Sequence, residues 1–142
     1  MNPEMTPIRL DISSFCKAVA RLEEGLSGYQ ATADNDIYRD ALIQRFEFTY
    51  ELSHKMLKRY LEMTSATPDI YDTISFQDLI RTGNEQGLLL GDWSAWKQYR
   101  QMRSKTSHTY DEDVALEVTE IIPDFLREAR FLRDKLIERS HE

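Results

Sequence analysis

The chain has 142 residues, and its 25 acidic against 18 basic side chains give a formal net charge of -7. This length suits one domain, residues 1–142, with a real hydrophobic core. The acidic balance argues against a general nucleic-acid binder, because phosphate contacts need surplus lysine and arginine, so any contact with RNA has to be local. The single cysteine excludes an intramolecular disulfide, and no apolar run reaches membrane-spanning length. We therefore expect a cytoplasmic protein that does not enter a membrane.

The N-terminal stretch carries apolar residues at steps of four and three, which predicts a helix with one face packed against a partner. Thr6 and Pro7 are predicted to cap and open this helix, and Gly28 with the polar residues 31–35 to end it. The apolar stripe consists of Ile8, Ile12, Phe15, Val19, Leu22, Leu26 and Tyr29.

A second helix is predicted to begin at Asp34, Asn35 or Asp36 and to run to about Met63. One side of its helical wheel is expected to face the core. That side holds Leu42, Ile43, Phe46, Tyr50, Ser53, Leu57, Tyr60 and Leu61. Phe48 and Leu52 project from roughly the opposite side. We take this pair as the hypothesis of a homodimer interface, and the alternative is two scattered apolar surface residues.

The same helix carries a charged face, which a solvated surface explains for most of its members. Its residues are Arg45, Glu47, Glu51, His54 and Lys55. Glu47 and Glu51 are like charges at a spacing of four, so they need a nearby cation or solvent. No histidine spacing in the chain indicates a metal site, and no cofactor is expected.

The middle of the chain is predicted to hold a loop, residues 64–74, and one short helix. Ser75 resembles the N-cap of this helix, which is expected to stop before Gly87. Asp92 is predicted to cap the next helix. A further stripe at helical spacing predicts the last helix, which Pro123 should kink or break near residues 119–122. The stripe consists of Val114, Val118, Ile121, Phe125, Ala129, Leu132 and Leu136.

The stretch 103–110 carries the side chains with the most chemistry. Arg103 follows Trp96 by seven residues, so it lies beside an aromatic face and should be paired, line a polar cavity or stack on an aromatic ring. On a straight helix Arg103 and His108 would point about 140° apart. A helix end between them is therefore predicted, with Asp111 capping the last helix and His108 and Tyr110 just before its phosphate-favouring N-terminus. Hydroxyl side chains that favour this ending are Ser104, Thr106 and Ser107.

The pattern Arg-x-x-x-x-His-x-Tyr between two helices of a small acidic protein resembles the HEPN superfamily. More closely, residues 41–58 and 96–111 resemble the nucleotidyltransferase substrate-binding family that includes HepT-type toxins. Residues 76–88 also fit the family's short helix and glycine stop. The likeness covers nearly the whole chain.

This resemblance implies an all-α, up-and-down antiparallel bundle of four long helices and one short helix, which dimerises. Arg103 and His108 of both subunits would line one cleft for RNA or a nucleotide at the dimer axis. The partner would be a minimal nucleotidyltransferase. In a metal-independent ribonuclease toxin, His108 would take the 2′-OH proton, Arg103 would hold the phosphate, and AMP transfer to Tyr110 would silence the toxin. Residues expected to take part in binding are Ser104, Arg45 and Glu47.

One departure from the family pattern keeps two readings open. Many relatives have asparagine directly after the arginine, where this chain has Ser104. Serine reaches less far and offers one donor instead of two. The protein is therefore either a HEPN ribonuclease toxin or a non-catalytic subunit that binds substrate for a nucleotidyltransferase. A helical scaffold with a structural Arg103 and His108 is a third reading, which the resemblance disfavours.

Overall fold

The computed structural model describes residues 10–32 and 35–140, and this part of the chain forms five α-helices and no β-strand. In chain order the helices are α1 (Ser13–Ala31), α2 (Asp36–Thr64), α3 (Phe76–Glu85), α4 (Trp93–Lys105) and α5 (Glu112–Ser140). Helices α1, α2 and α5 pack against one another, and α4 packs against α2 and α5. The expected helical bundle, with a short α3 and four longer helices, is confirmed.

Three of the predicted helix caps are present as predicted. The Asn35 side chain accepts hydrogen bonds from the backbone N–H groups of Ile37 and Tyr38, at 2.9 and 3.2 Å. Ser75 caps α3 in the same way, and Asp92 caps α4. Each cap satisfies backbone donors that the first turn of a helix cannot satisfy itself. After α3, Gly87 adopts a φ of 76°, a conformation that favours glycine.

The start of α1 differs from its prediction. Thr6, Pro7 and Ile8 lie outside the described residues, and α1 begins only at Ser13. The Asp11 carboxylate accepts hydrogen bonds from both the backbone N–H and the hydroxyl of Ser13, at 3.0 and 2.6 Å. This local turn competes with helix before Ser13. Leu10 is nevertheless buried, so the segment still contributes to the core.

Two further expectations need correction. The predicted loop before α3 contains a 3-10 turn, Pro68–Asp72, which is anchored by the buried Tyr71. Near Pro123 the sequence predicts a kink or a break, and the break is wrong, because α5 continues through this residue to Ser140. A proline removes one backbone donor from a helix. Buried side chains before and after it, including Ile122 and Phe125, hold α5 in the core.

The core is aromatic where α4 meets α2 and α5. Phe125 packs edge-on against Phe46 at 5.2 Å between ring centroids and against Tyr99 at 5.3 Å. Trp96 is fully buried beside them, and its indole N–H donates to the buried carboxylate of Glu128 at 3.0 Å. Such edge-to-face pairs fix the relative positions of the helices that carry them. These contacts hold α4 against α2 and α5.

The carboxylate of Glu128 organises the connection between α3 and α4. Its two oxygens accept hydrogen bonds from the backbone N–H groups of Leu90 and Gly91, both at 2.7 Å, in addition to the indole of Trp96. Burial raises the pKa of Glu128, and the three hydrogen bonds oppose this shift. The sequence pattern did not single out this residue. It ties α5 to the start of the helix that carries Arg103.

Candidate functional site

Arg103 lies in the last turn of α4 and is held by two carboxylates from α2. Its Nε donates to Oε1 of Glu51 at 3.1 Å, and its Nη1 lies 3.7 Å from Oε2 of Glu47. The prediction that Arg103 is paired is confirmed. Arg103 also supplies the cation that the like-charged pair of glutamates needs. The arginine side chain is about one-third exposed, so the pairing leaves it accessible to a ligand.

Thr106 fixes Arg103 from the other side. Its hydroxyl oxygen accepts a hydrogen bond from Nη1 of Arg103 at 3.0 Å, and the hydroxyl donates to the Arg103 carbonyl at 2.7 Å. Thr106 is buried and opens the 3-10 turn Thr106–His108. The predicted helix end between Arg103 and His108 is therefore present. The role of Thr106 was missed, although its spacing of three from Arg103 is a detectable signal.

His108 and Tyr110 lie on the surface of this junction. Their ring centroids are 6.0 Å apart, with the rings nearly perpendicular at 76°. His108 is exposed, and Tyr110 is 87% exposed. Neither side chain is part of the hydrophobic core. The chain thus presents an imidazole and a phenol side by side, directly after a paired arginine.

The N-terminus of α5 does not offer the free donors that the sequence pattern suggested. The Asp111 carboxylate accepts a hydrogen bond from the backbone N–H of Asp113 at 3.0 Å and approaches that of Val114 at 3.5 Å. Glu112 adds a second acidic side chain in the first turn. This helix end is therefore already complemented by negative charge, which disfavours a phosphate there. Of the α5 N-terminus and the Arg103 guanidinium, the guanidinium is the better candidate to bind a phosphate.

The junction is fixed at both ends by contacts to other helices. Lys105 at the end of α4 contacts Glu117 of α5, with Nζ and Oε1 2.6 Å apart. The side chain of Arg39 in α2 is largely buried, and its Nη1 lies 3.3 Å from Oε1 of Glu112 at the start of α5. These ion pairs hold the turn between α4 and α5 against the body of the bundle.

A groove of about 300 Å³ lies beside Arg103, between α2, the start of α3 and α4. Its lining residues are Tyr50, Glu51, His54, Phe76, Arg100, Arg103 and Ser104. Burial lowers the pKa of His54, and the neighbouring Glu51 opposes this shift. Burial raises the pKa of Tyr50 to about 12, so its hydroxyl stays protonated at neutral pH. The sequence pattern gave His54 and Arg100 no role.

The sequence allowed Arg103 to stack on an aromatic ring, but in the structure it is Arg100, one turn earlier on α4, that makes such a contact. The guanidinium carbon of Arg100 lies 5.1 Å from the ring centroid of Phe76, in a cation–π contact. In the described part of the chain, no such contact links Arg103 to Trp96 or Tyr99.

The structure places the predicted site residues in separate groups, and His108 and Tyr110 form one of them. Glu47 and Arg103 are in contact, and Ser104 lines the groove beside them. Arg45 is different, because its Nη1 donates to the Arg21 carbonyl at 2.8 Å on the face between α1 and α2. There it lines a separate hollow of about 390 Å³ with the exposed Phe48. Within one chain, Arg45 does not join the Arg103 group.

The described residues contain neither a cluster of metal-binding side chains nor a membrane-spanning helix. Across 10–32 and 35–140, no three histidine, cysteine, aspartate or glutamate side chains gather where they could hold a metal ion. No helix in these ranges is long and apolar enough to cross a membrane. The described chemistry rests on arginine, histidine, tyrosine and carboxylate side chains.

The described part of the chain is an all-helical domain that carries these side chains near the junction of α4 and α5, and sequence comparison gives its family. Residues 10–138 match the family model described as nucleotidyltransferase substrate binding protein like. The chain belongs to this family.

Individual relatives are similar over most of the chain. A Haemophilus influenzae protein named probable ribonuclease HepT is 46% identical over 98 residues, which span 69% of this chain and 66% of that protein. A solved Haemophilus influenzae structure, described as the substrate binding domain of a nucleotidyltransferase, superposes with a TM-score of 0.83 at 36% identity. It covers 89% of this chain and 98% of its own. A structure from Thermus thermophilus gives a TM-score of 0.70 at 30% identity, over 86% of this chain and 98% of its own.

Proposed function

We propose that this protein is a HEPN-type, metal-independent ribonuclease of the cytoplasm, the toxin of a toxin–antitoxin pair whose antitoxin is a minimal nucleotidyltransferase. The observation that carries this proposal is the junction of α4 and α5. There Arg103 is oriented by Glu51 and Thr106, and the following turn exposes His108 and Tyr110. The similarity to a protein named probable ribonuclease HepT supports it.

In this proposal Arg103 binds the phosphate that is cleaved. Among the described contacts of Arg103, Nε and Nη1 face protein groups, which leaves the donors of Nη2 for a phosphate oxygen. A guanidinium held on its other edge needs little reorganisation when charge develops on the phosphate. Glu51 and Thr106 therefore act as positioning residues, and Arg103 as the phosphate ligand.

His108 then acts as the base. Imidazoles exchange protons near neutral pH, and the His108 ring is exposed in the turn that directly follows the helix of Arg103, where a ribose 2′-OH can approach it. Removal of the 2′-OH proton lets the 2′ oxygen attack phosphorus, and the bond to the 5′ oxygen of the next nucleotide breaks. The products are a 2′,3′-cyclic phosphate and a 5′-OH end. The leaving oxygen takes its proton from a protonated imidazole or from water.

The same proposal includes a homodimer with the cleft at its axis. Phe48 is 60% exposed on α2, three residues before Glu51, so both lie on adjoining parts of one helix face. A second copy that covers Phe48 would come close to the Arg103–Glu51 pair. Leu52, the other residue of the predicted apolar pair, is partly buried against the core of its own chain. Phe48 is thus the better-supported contact.

Tyr110 is the proposed site of silencing. A phenol that is 87% exposed is accessible to a second protein that transfers AMP to it. The adduct would place a phosphate and a nucleoside beside His108, whose ring is 6.0 Å away. Added negative charge would repel the RNA backbone, and the nucleoside would fill the approach to the site.

A second candidate is a non-catalytic subunit that binds substrate for a nucleotidyltransferase. Ser104 favours it, because serine lacks the reach and the second donor of the asparagine found there in many relatives. The description of one solved relative as a nucleotidyltransferase substrate binding domain supports it too. Both candidates use the same junction and differ in whether RNA is cut.

An RNA cleavage assay separates the two candidates. Purified protein is incubated with a mixed-sequence RNA in the presence of EDTA, together with the His108→Ala variant and with Ser107→Ala, an exposed control in the same turn. Ribonuclease function predicts cleavage by wild type and Ser107→Ala and its loss in His108→Ala. Equal cleavage by His108→Ala would show that the activity is not due to this site. Binding without cleavage would favour the substrate-binding subunit.

A further inference from the structure

The ring of Phe76 forms an aromatic floor next to Arg103. Phe76 is the first residue of α3, and its ring contacts His54 edge-on at 5.5 Å and Trp93 at 5.8 Å between centroids. The guanidinium of Arg100 lies over the ring at 5.1 Å. These three neighbours hold the ring in one orientation. Phe76 is partly buried and packs against the edge of the core, and it also lines the groove.

Arg100 is the exposed half of this stack. Within the described residues Arg100 forms no ion pair with a carboxylate, whereas the neighbouring Arg103 is bound by Glu47 and Glu51. A guanidinium that rests one face on an aromatic ring presents a planar, charged second face. Such a plane, in a groove, is a platform for another flat group. Nucleobases stack on arginine planes and on aromatic rings in this way.

The spacing along α4 connects this platform to the phosphate ligand. Arg100, Arg103 and Ser104 lie on one face of α4, since residues three and four apart are neighbours on a helix. One turn, about 5 Å, separates the platform from Arg103. A nucleotide with its phosphate at Arg103 can therefore place a base over Arg100. Ser104 adds a hydroxyl to the lining of the same groove.

His54 also lines the groove and is coupled to Arg103 through one carboxylate. Oε2 of Glu51 lies 3.3 Å from Nε2 of His54, while Oε1 of the same carboxylate accepts from Arg103. Glu51 thus ties the phosphate ligand to the imidazole beside the aromatic floor. The groove is preorganised as a unit, because moving any of these three groups disturbs the others.

We propose that the groove formed by His54, Phe76 and Arg100 is a nucleobase subsite, in which the base of the nucleotide bound at Arg103 stacks on the Arg100 guanidinium. The proposal rests on the proposed function in one respect, namely that the occupant is a strand of RNA. The recognition itself is stacking and is tolerant of base identity.

Binding of an uncleavable strand tests this subsite independently of catalysis. The probe is a fluorescein-labelled mixed-sequence hexanucleotide of deoxyribose units, which lacks the 2′-OH that cleavage needs. Its dissociation constant is measured by fluorescence anisotropy for wild type, Arg100→Lys and Phe76→Leu. Arg100→Lys keeps the charge and removes the plane. Arg127→Lys is the matched control, because Arg127 is exposed on α5 and pairs with Asp124 outside the groove.

The expected result is a loss of affinity of roughly tenfold for Arg100→Lys and Phe76→Leu, with less than twofold change for Arg127→Lys. Phe76→Tyr keeps the ring and should bind like wild type, which separates loss of the ring from a general folding defect. With a hexanucleotide that carries abasic sites, Arg100→Lys should match wild type within twofold, since no base remains to stack. Unchanged affinity of Arg100→Lys for the base-bearing strand would overturn the proposal, as would absence of binding by wild type.

Parallel cleavage measurements separate this proposal from the ribonuclease proposal. Base-dependent binding by a protein that does not cut RNA would leave the subsite standing and remove the nuclease. If the protein cuts RNA but its affinity for the strand is unchanged in Arg100→Lys and Phe76→Leu, the ribonuclease proposal stands and the subsite proposal fails. A competition with free AMP identifies the occupant. A strand that binds at least ten times more tightly than AMP supports RNA in the groove, and equal affinities identify a free nucleotide as the ligand of the same stacking site.

Discussion

Arg103 and Thr106 hold each other through two hydrogen bonds of opposite direction. The arginine side chain donates to the threonine oxygen at 3.0 Å, and the threonine hydroxyl donates to the arginine carbonyl at 2.7 Å. The second bond satisfies a carbonyl at the C-terminus of α4, and the first one orients the guanidinium. One buried threonine therefore ends the helix and aims the side chain that the site depends on.

Replacing Thr106 should accordingly lower the rate of RNA cleavage more than the loss of folding stability alone would explain. Thr106→Val removes both hydrogen bonds at nearly constant volume, and we expect a loss of stability of about 1–2 kcal/mol. RNA cleavage should fall by roughly tenfold under conditions in which the variant remains folded, because the guanidinium loses its orientation. Thr106→Ser retains the hydroxyl and is the matched control. Thermal unfolding and initial cleavage rates measure the two effects, and normal cleavage by Thr106→Val would refute the positioning role.

The stability of the protein should depend on pH through His54. Burial lowers the folded-state pKa of His54 below its usual value of 6.5, with Glu51 acting against the shift. Between the folded and unfolded values the unfolded chain binds more protons, so stability rises with pH across this window. Acidification through pH 6.5 should therefore destabilise the wild type, and the loss should level off below the folded-state pKa. Urea unfolding at several pH values should show a smaller change for His54→Gln. An equal change in that variant would exclude His54 as the cause.

Glu128 should be among the most costly carboxylates to replace. Glu128→Gln leaves one acceptor oxygen for the N–H groups of Leu90, Gly91 and Trp96 and turns an amide donor towards them. Unsatisfied buried donors cost about 1–3 kcal/mol each, so we expect a loss of about 2–4 kcal/mol. Glu138→Gln changes a largely exposed side chain and should cost less than about 0.5 kcal/mol. Calorimetric unfolding of the two variants gives the comparison, and similar midpoints would contradict the role assigned to the buried carboxylate.

Co-expression with a minimal nucleotidyltransferase tests the proposed silencing. The wild-type protein should gain the mass of one or more AMP groups, and Tyr110→Phe should gain none. The exposed Tyr38→Phe is the control, because it removes a phenol elsewhere on the surface. Normal adducts on Tyr110→Phe would place the acceptor at another residue. Intact-protein mass spectrometry provides the measurement.

Charge placed at Phe48 should prevent the proposed dimer. Phe48→Glu adds a carboxylate to an exposed apolar position and should shift sedimentation from dimer towards monomer. Ile70→Glu changes a residue of similar exposure in the 3-10 turn before α3 and should leave the dimer intact. Wild type that sediments as a strict monomer at high concentration would remove the dimer hypothesis. A dimer that persists in Phe48→Glu would move the interface to another face.

Local features of this fold could be predicted from sequence, and contacts distant in sequence could not. The caps at Asn35, Ser75 and Asp92 each depend on two or three neighbouring residues, so their pattern is visible in the chain. The helix end after Lys105 could be predicted because Arg103 and His108 would point in different directions on one continuous helix. A helix break near Pro123 was wrongly predicted as one alternative for a related reason, because local rules describe the lost donor and not the packing that holds α5 together.

The partners of Arg103 show where sequence reasoning ends. Glu51 is separated from Arg103 by 52 positions, and only the packing of α2 against α4 brings the two together. The same holds for Glu128 and Trp96, which are 32 positions apart. A helical wheel shows that a charged residue faces the core, but it does not show which groups form hydrogen bonds with that residue. Arg45 illustrates the reverse case, because nearness in sequence to Glu47 does not place it on the same side of α2.

The exposure of Tyr110 also makes this position a natural reporter. A phenol that packs against no helix contributes little to the free energy of folding, so a fluorinated tyrosine could be incorporated there without rearranging the bundle. Its resonance would sense the ring of His108, 6.0 Å away, and any molecule that enters the junction. Ligand arrival, protonation of the neighbouring imidazole and attachment of a nucleotide could then be followed at one atom, in solution and in real time.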